Sequence, residues 1–330
     1  MTMRQPIPIA RLLLAACVAM CVATWVAAAA AEEKAADARG LLFSYFMKNG
    51  EDGLHLATSD DGLTWTALNG GKSLLRPEVG ESKLMRDPSV ARAPDGTFHM
   101  VWTTSWKGMT IGYAHSKDLI HWSKQRAIPV MAHEPTRINC WAPEIFYDAR
   151  SQQYYVVWAT TIRSRFPATE KSGDAGHNHR LYHFTTKDFE TIGPTRLFYN
   201  PGINVIDGAL VRDDARGRYA FVVKNETRHP PAKNLFMTYA NDLNGPWTPR
   251  SKPFSGPDWA EGPSIVRIGE LWYCYWDKYT RGRYGAATSP DLEHWTDISP
   301  KVSFPAGTRH GTAFFAPKRV IDGLKVLSPN

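Results

Sequence analysis

Short apolar segments recur along the chain, and polar turns rich in Ser, Asp, Gly or Pro separate them. Runs of five or six residues rich in Val, Tyr, Phe and Trp favour β-strands, and they lie at 98–102, 154–158, 219–223 and 271–276. Hairpin signals such as Asp95-Gly96 precede several of them. This pattern predicts a succession of short antiparallel strands.

The turns that follow these strands share one sequence shape, in which an Asp comes a few residues before a Trp or an aliphatic residue. The five aspartates are Asp61, Asp118, Asp188, Asp242 and Asp291. Repeating units of about 50–60 residues with three or four strands each are typical of β-propeller blades. We therefore predict an all-β fold, a five-bladed β-propeller in a single domain over 41–330. The first unit lacks one strand, and we expect the C-terminal segment 311–315 to supply it and close the ring.

The N-terminus has the pattern of a secretory signal peptide. Arg4 and Arg11 precede an apolar stretch that ends in five alanines. We predict a signal peptide over 1–31, a short linker over 32–40, and a secreted or periplasmic protein. Two alternatives remain open, namely an uncleaved membrane anchor, since twenty apolar residues can span a bilayer, and a lipoprotein acylated at Cys17.

Composition narrows the range of partners. The net charge is +7, but Lys and Arg are scattered among acids, so we expect neither a nucleic-acid partner nor a stable membrane partner. Aromatic residues make up 12% of the chain, which suits β structure or a surface that stacks on flat ligands. Beyond the signal peptide only Cys140 and Cys274 remain, and we interpret them as small buried residues rather than as a disulfide.

Ionisable residues recur where the innermost strand of each blade is expected. They stand beside Pro or Gly in otherwise apolar stretches and are Asp87, Glu144, Asp207, Glu261 and His310. One such acid has a structural explanation as a satisfied strand end. Four acids and a His around one axis do not, because crowding like charges is costly unless it serves chemistry. The sequence therefore predicts a functional site on the propeller axis.

The ordered segments RDPSV, WAPEI, IDGAL and AEGPS, followed by RHG, resemble glycoside hydrolase family 43. That family of five-bladed propellers contains α-L-arabinofuranosidases, β-xylosidases, arabinanases and some galactofuranosidases. The resemblance covers about residues 41–315, and it implies that Asp87 is the general base, Glu261 the general acid and Asp207 a residue that positions and tunes the acid. The family's base usually stands in the first blade, whereas a whole unit precedes Asp87 here, so we expect the ring to be entered one blade earlier.

The resemblance also implies a histidine near the axis, His310, that holds a water or a metal ion. No cofactor is required, and a structural calcium ion near the axis is allowed. Other candidate contacts to sugar are Trp106, Trp141, Glu144 and Arg283. For the two Trp residues a core position is the alternative, for Glu144 a hydrogen bond to blade structure, and for Arg283 a surface position.

The residues around the two main carboxyls agree with these roles. Glu261 lies between apolar neighbours, which predicts a raised pKa and an available proton. Arg86 precedes Asp87 and is expected to keep that carboxylate ionised. Glycoside hydrolysis by inversion needs one protonated carboxyl as the acid and one ionised carboxylate as the base.

We therefore predict an inverting glycosidase that removes terminal sugars, most of all α-L-arabinofuranosyl units, from a polysaccharide or oligosaccharide. The alternatives are a β-xylosidase or galactofuranosidase on the same scaffold, and a non-catalytic carbohydrate-binding propeller. A phosphorolysing relative is less favoured, because it needs a cluster of cations to hold phosphate, and only Arg86 is evident near Asp87.

Overall fold

The computed structural model describes residues 39–327. The signal peptide, Cys17 and nearly all of the linker lie outside the described residues, so those expectations stay predictions. The strands are β1 (Arg39–Phe46), β2 (His55–Ser59), β3 (Thr66–Ala67), β4 (Arg86–Arg92), β5 (Phe98–Thr103), β6 (Ile111–Ser116), β7 (Arg126–Ile128), β8 (Trp141–Asp148), β9 (Gln153–Thr161), β10 (His179–Thr186), β11 (Arg196–Tyr199), β12 (Val205–Asp213), β13 (Arg218–Asn225), β14 (Asn234–Ala240), β15 (Glu261–Ile268), β16 (Leu271–Lys278), β17 (Arg283–Ser289), β18 (Thr296–Asp297) and β19 (Arg309–Pro317). One α-helix, α1 (Lys318–Val326), follows the last strand.

The strands form five antiparallel sheets arranged as the blades of a propeller, which confirms the predicted fold. Blade 1 has the order β19-β1-β2-β3, blade 2 β4 to β7, blade 3 β8 to β11, blade 4 β12 to β14 and blade 5 β15 to β18. The innermost strands are therefore β19, β4, β8, β12 and β15, and each packs against the innermost strands of its two neighbours. Their N-terminal ends meet at one end of the ring.

The ring closes through the C-terminal strand, as predicted. Strand β19 pairs antiparallel with β1, which places Phe314 opposite Leu42. Helix α1 was not expected from the sequence. Its apolar side chains Val320, Ile321 and Leu324 are buried in the core between blades 1 and 2, so the helix covers the closing strand.

Five apolar clusters hold the ring together, one between each pair of neighbouring blades. Trp102, Trp158 and Trp276 are fully buried on the second strands of three blades. Gly112 faces Trp102 across the ladder, and a Cβ atom there would lie 1.9 Å from the indole. Glycine is needed in that strand because the indole occupies the space of a side chain.

The recurring turns have one hydrogen-bond pattern. In blade 2 the Ser116 hydroxyl accepts the N–H of Leu119 at 2.8 Å, and Asp118 Oδ1 accepts the N–H groups of Ile120 and His121. The same pattern recurs at Ser59 and Asp61, Thr186 and Asp188, and Ser289 and Asp291. The turn of blade 4 has Asp242 but Ala240 in place of Ser or Thr, and this blade has only three strands. The motif therefore organises the outer part of a blade.

Cys140 and Cys274 are buried and unpaired, in agreement with the sequence-based interpretation. Over 39–327, no helix has the length and apolar character needed to span a bilayer.

Candidate active site

Each innermost strand has a β-bulge at the end where the five strands meet. The bulged residue in blades 2 to 5 has a positive φ, which for residues other than glycine is uncommon and costs energy. These residues are Asp87 at 52°, Ala142 at 47°, Asp207 at 49° and Gly262 at 58°. A bulge redirects a side chain out of the regular ladder. Asp87 and Asp207 therefore occupy equivalent positions in their blades, facing the mouth of the channel.

A cavity of about 520 Å³ opens at this end of the ring. Six of the predicted site residues line it, namely Asp87, Trp106, Trp141, Asp207, Glu261 and His310. The volume lies in the range of sites that enclose a small ligand. The structure thus brings the three proposed catalytic carboxyls, from three different blades, to one cavity.

Asp87 is held as a carboxylate. Its Oδ1 lies 3.3 Å from His310 Nδ1, and its Oδ2 accepts the Thr103 hydroxyl at 2.7 Å. Burial would raise the pKa of Asp87, but the charge and hydrogen bond of His310, with smaller effects of Arg86 and Thr103, lower it to about 2. Burial conversely lowers the pKa of His310, and Asp87 outweighs it and raises this pKa to about 9. The two form an ion pair at neutral pH.

Glu261 is also charged in the free protein, contrary to the sequence-based expectation. Arg309 Nη2 lies 2.8 Å from its Oε1, and Lys224 Nζ lies 3.4 Å from its Oε2. Burial acts to raise the pKa of Glu261, but Lys224, Arg309 and His310 together lower it. The prediction of a raised pKa from apolar sequence neighbours was wrong, because cations from blades 1 and 4 lie against the carboxylate.

Asp207 lies beside the acid. Its Oδ2 accepts the N–H of Gly262, the residue after Glu261, at 2.9 Å. Burial raises the pKa of Asp207; His310 and Lys224 act against this rise, and the negative charges of Glu261 and Asp87 add to it. In the free protein the pKa of Asp207 is therefore raised, whereas that of Glu261 is lowered because cations lie against its carboxylate.

Two predicted sugar contacts do not line the cavity. Glu144 stands two residues beyond the bulge of β8, where its Oε2 accepts the Ser89 hydroxyl at 2.7 Å. Burial raises the pKa of Glu144 to about 7, against the opposing Ser89 hydrogen bond. Arg283 begins the third strand of blade 5, is 68% exposed, and faces Asp258. For Glu144 this arrangement favours the alternative, a hydrogen bond to blade structure, because its motif places the acid two positions later than Asp87 or Asp207.

Trp106 and Trp141 form the rim of the cavity instead of filling the core. Trp141 Nε1 donates to the Trp106 carbonyl, and the two rings meet edge to face at 5.5 Å. Trp106 remains 49% exposed. The Trp141 ring also contacts His177, in the loop before β10, and His179, the first residue of β10; these two imidazoles stack on each other and line the cavity. Exposed indole faces beside carboxyls suit the apolar faces of a sugar.

Sequence reasoning missed several polar residues of the cavity, chiefly Lys224, Arg309, Thr103 and Tyr279. Lys224 ends the apolar run of β13, and a charged residue there was the available signal. Arg309 immediately precedes His310. Buried carboxylates require cationic partners. The predicted acids on the axis were therefore a reason to expect Lys224 and Arg309 beside them.

The axial residues do not fit a calcium ion. Calcium takes six to eight oxygen ligands, whereas the carboxylates of Asp87 and Glu261 are engaged by cations. His310 Nδ1 is itself engaged by Asp87 Oδ1, 3.3 Å away. Among the residues that the structure describes, the donor atoms that converge closely enough for a metal belong to Asp291, Glu293 and His294, on an outer turn of blade 5.

Comparisons with known proteins agree with this architecture. Residues 37–316 match a family described as a probable glycosyl hydrolase domain and related to glycoside hydrolase family 43. No curated protein matches the chain.

Solved structures with the same fold include two glycoside hydrolases. A thermostable family-43 glycoside hydrolase aligns over 68% of this chain and 78% of its own, at 14% identity and a TM-score of 0.53. A family 117 glycoside hydrolase produced by the marine bacterium Zobellia galactanivorans aligns over 67% and 70%, at 17% identity and a TM-score of 0.51. At these identities the likeness shows the fold.

Proposed function

Because the chain belongs to the glycosyl hydrolase family related to family 43, we propose that it cleaves glycosidic bonds with inversion at the anomeric carbon. We further propose that it removes terminal sugar units, α-L-arabinofuranosyl units first among them, from a polysaccharide or oligosaccharide. The observation that carries this proposal is the convergence of Asp87, Asp207 and Glu261 on one cavity.

Asp87 suits the general base. An inverting site needs an ionised carboxylate that takes a proton from the attacking water. The pKa of Asp87 is lowered to about 2, so it is ionised throughout the neutral range. His310 and Thr103 fix its orientation, which leaves its remaining lone pairs for the water.

Glu261 suits the general acid only if it takes up a proton when the sugar binds. A bound sugar displaces water from the cavity, and loss of water favours the neutral form of a carboxyl. Asp207 then favours protonation further through its negative charge. Lys224 and Arg309 act in the opposite direction, and they stabilise the carboxylate that forms when Glu261 gives its proton to the leaving oxygen.

The shape of the cavity supports action on terminal units. The Trp106 and Trp141 rim, with the loop that carries His177 and Asp174, borders a single cavity at the channel mouth. Such a cavity suits the end of a sugar chain. The N-terminal signal predicted over 1–31 agrees with a polymeric substrate outside the cytoplasm, and we propose export on that ground.

Chromogenic glycosides test the proposal. Arabinofuranosides, xylosides and galactofuranosides are incubated with the wild-type protein and with Asp87→Asn, while calorimetry measures binding of the free sugars. We expect hydrolysis of the arabinofuranoside by the wild type only. Faster hydrolysis of a xyloside or galactofuranoside would replace the proposed sugar, and binding without hydrolysis of any glycoside would overturn the enzymatic proposal in favour of a carbohydrate-binding propeller.

A further inference from the structure

Not every charged group of the cavity contacts a group of opposite charge. Five cationic side chains line the cavity, namely Arg86, Lys107, Lys224, Arg309 and His310, and so do five acidic ones, namely Asp87, Asp174, Asp207, Glu226 and Glu261. Three of the cations pair with cavity acids: His310 with Asp87, Arg309 with Glu261, and Lys224 with Glu226 and Glu261. Arg86 and Lys107 form no ion pair within residues 39–327. The charge of Arg86 acts on Asp87 through space, but within the described residues neither Arg86 nor Lys107 has a direct ionic contact.

Arg86 is held in place by neutral groups. Its Nη1 donates to Asn49 Oδ1 at 3.1 Å, and the same oxygen accepts Trp106 Nε1 at 2.9 Å. The guanidinium carbon lies 4.2 Å from the centre of the Trp106 ring and 4.6 Å from that of Phe46. Stacking of this kind orients a guanidinium without neutralising it.

The hydrogen-bonding capacity of Arg86 is largely unused. A guanidinium carries five N–H donors, and in the described part of the chain Asn49 Oδ1 is the one acceptor for them. A planar, oriented group with free donors matches the two oxygens of a carboxylate, or two oxygens of a sulfate. Lys107, exposed on the same rim, adds a second charge without fixing a geometry.

We propose that Arg86, assisted by Lys107, binds an anionic group on the substrate, so that the substrate is an acidic oligosaccharide carrying a carboxylate or sulfate. This inference rests on the proposed glycosidase function. Because Arg86 packs on the half-exposed Trp106, the acidic sugar lies at the rim, next to the terminal unit that enters the cavity. A neutral polysaccharide would leave both cations without a direct ionic contact.

Binding measurements with a matched pair of sugars test this inference. The probes are D-galacturonate and D-galactose, with inorganic phosphate as a third ligand, at constant ionic strength. We expect the wild type to bind galacturonate about tenfold more tightly than galactose, as one charge-assisted contact implies. Salt should reduce this preference.

Variants assign the preference to its residue. Arg86→Gln should bring the galacturonate-to-galactose affinity ratio close to one, and Arg86→Lys should keep part of it. Arg150→Gln is the control, since Arg150 is exposed in the turn between β8 and β9, at the opposite end of the blade. Lys107→Gln, at an exposed position that packing does not constrain, should lower the ratio by a smaller factor and serves if Arg86→Gln does not fold.

Each outcome decides between the proposals. Equal affinities for the two sugars in the wild type, or an unchanged ratio in Arg86→Gln, would overturn the acidic-substrate inference even if neutral glycosides are hydrolysed. Tight phosphate binding that depends on Arg86, without a preference for galacturonate, would assign the cation to a free ion and also overturn it. A galacturonate preference without hydrolysis of any glycoside would sustain the anion site and refute the glycosidase proposal.

Discussion

The outer turns and the inner bulges of this propeller both recur from blade to blade, but they use the repeat in opposite ways. Four outer turns place a Ser or Thr and an Asp at the same positions, with the same backbone hydrogen bonds. The inner bulges keep the backbone conformation and change the residue, from Asp87 to Ala142, Asp207 and Gly262. The outer turns keep the same residues because those residues build every blade. The inner bulges keep the same backbone but differ in their residues, and these residues give each blade its own chemistry.

An Asp→Asn substitution in an inner bulge and in an outer turn should give the largest difference in kcat between the two regions. Asp87→Asn should lower kcat about 10²–10⁴-fold on every substrate, because the neutral amide does not take a proton from water. Asp118→Asn in the outer turn should leave kcat unchanged. Steady-state kinetics of the two variants measures this. A comparable loss of kcat in both would show that the two regions do not differ in their part in catalysis.

The dependence of activity on the leaving group distinguishes the general acid from the general base. Glu261→Gln should lose about 10²–10⁴-fold in activity on natural glycosides, but much less on aryl glycosides whose leaving group needs little protonation. Asp87→Asn should affect both kinds of substrate alike. Parallel kcat/KM measurements on the two kinds of substrate check the assignment, which equal losses for Glu261→Gln would contradict.

Asp207 should act through the pKa of Glu261 in the complex. Asp207→Asn keeps the acceptor for the Gly262 N–H and removes a negative charge, so Lys224 and Arg309 act on Glu261 unopposed. The acid then loses its proton at lower pH, which moves the alkaline limb of the pH–rate profile downward, and kcat falls about tenfold. An unmoved limb with a near-normal rate would leave Asp207 with a structural part only.

The smallest effect is expected from the outer turn, and on stability rather than activity. Asp118→Ala removes the acceptor of two backbone N–H groups and should cost about 1–2 kcal/mol of unfolding free energy. Asp118→Asn should recover most of that loss, because its amide oxygen accepts the same bonds. Denaturant unfolding of both variants measures this, and equal stabilities of Asp118→Ala and the wild type would show that the motif does not hold the blade together.

The fold was predictable because its signals are local and repeated. Five Asp-containing turns recur along the chain, and an aromatic strand precedes four of them, so the repeat identified five blades. Helix α1 was missed because a single nine-residue helix has no repeat to support it. Its apolar residues find their core only where the chain ends meet.

The site was predictable where a short motif fixes the backbone, as at Asp87 and Asp207, whose Pro or Gly neighbour accompanies the bulge. Glu144 does not line the cavity, because its motif has the acid two residues further along than at Asp87 or Asp207. The charge state of Glu261 depends on Lys224 and Arg309, which are 37 and 48 residues away in sequence. The residues next to Glu261 in the sequence give no information about these long-range contacts.

The stereochemistry of the first-formed product tests the central claim most directly. Proton NMR of a reaction in progress distinguishes the two anomers of the released sugar before they interconvert. With Asp87 as a base that activates water, the product should have the anomeric configuration opposite to that of the substrate. Release of the sugar with the substrate's configuration would mean that a carboxylate attacks the anomeric carbon, and it would contradict the roles assigned to Asp87 and Glu261.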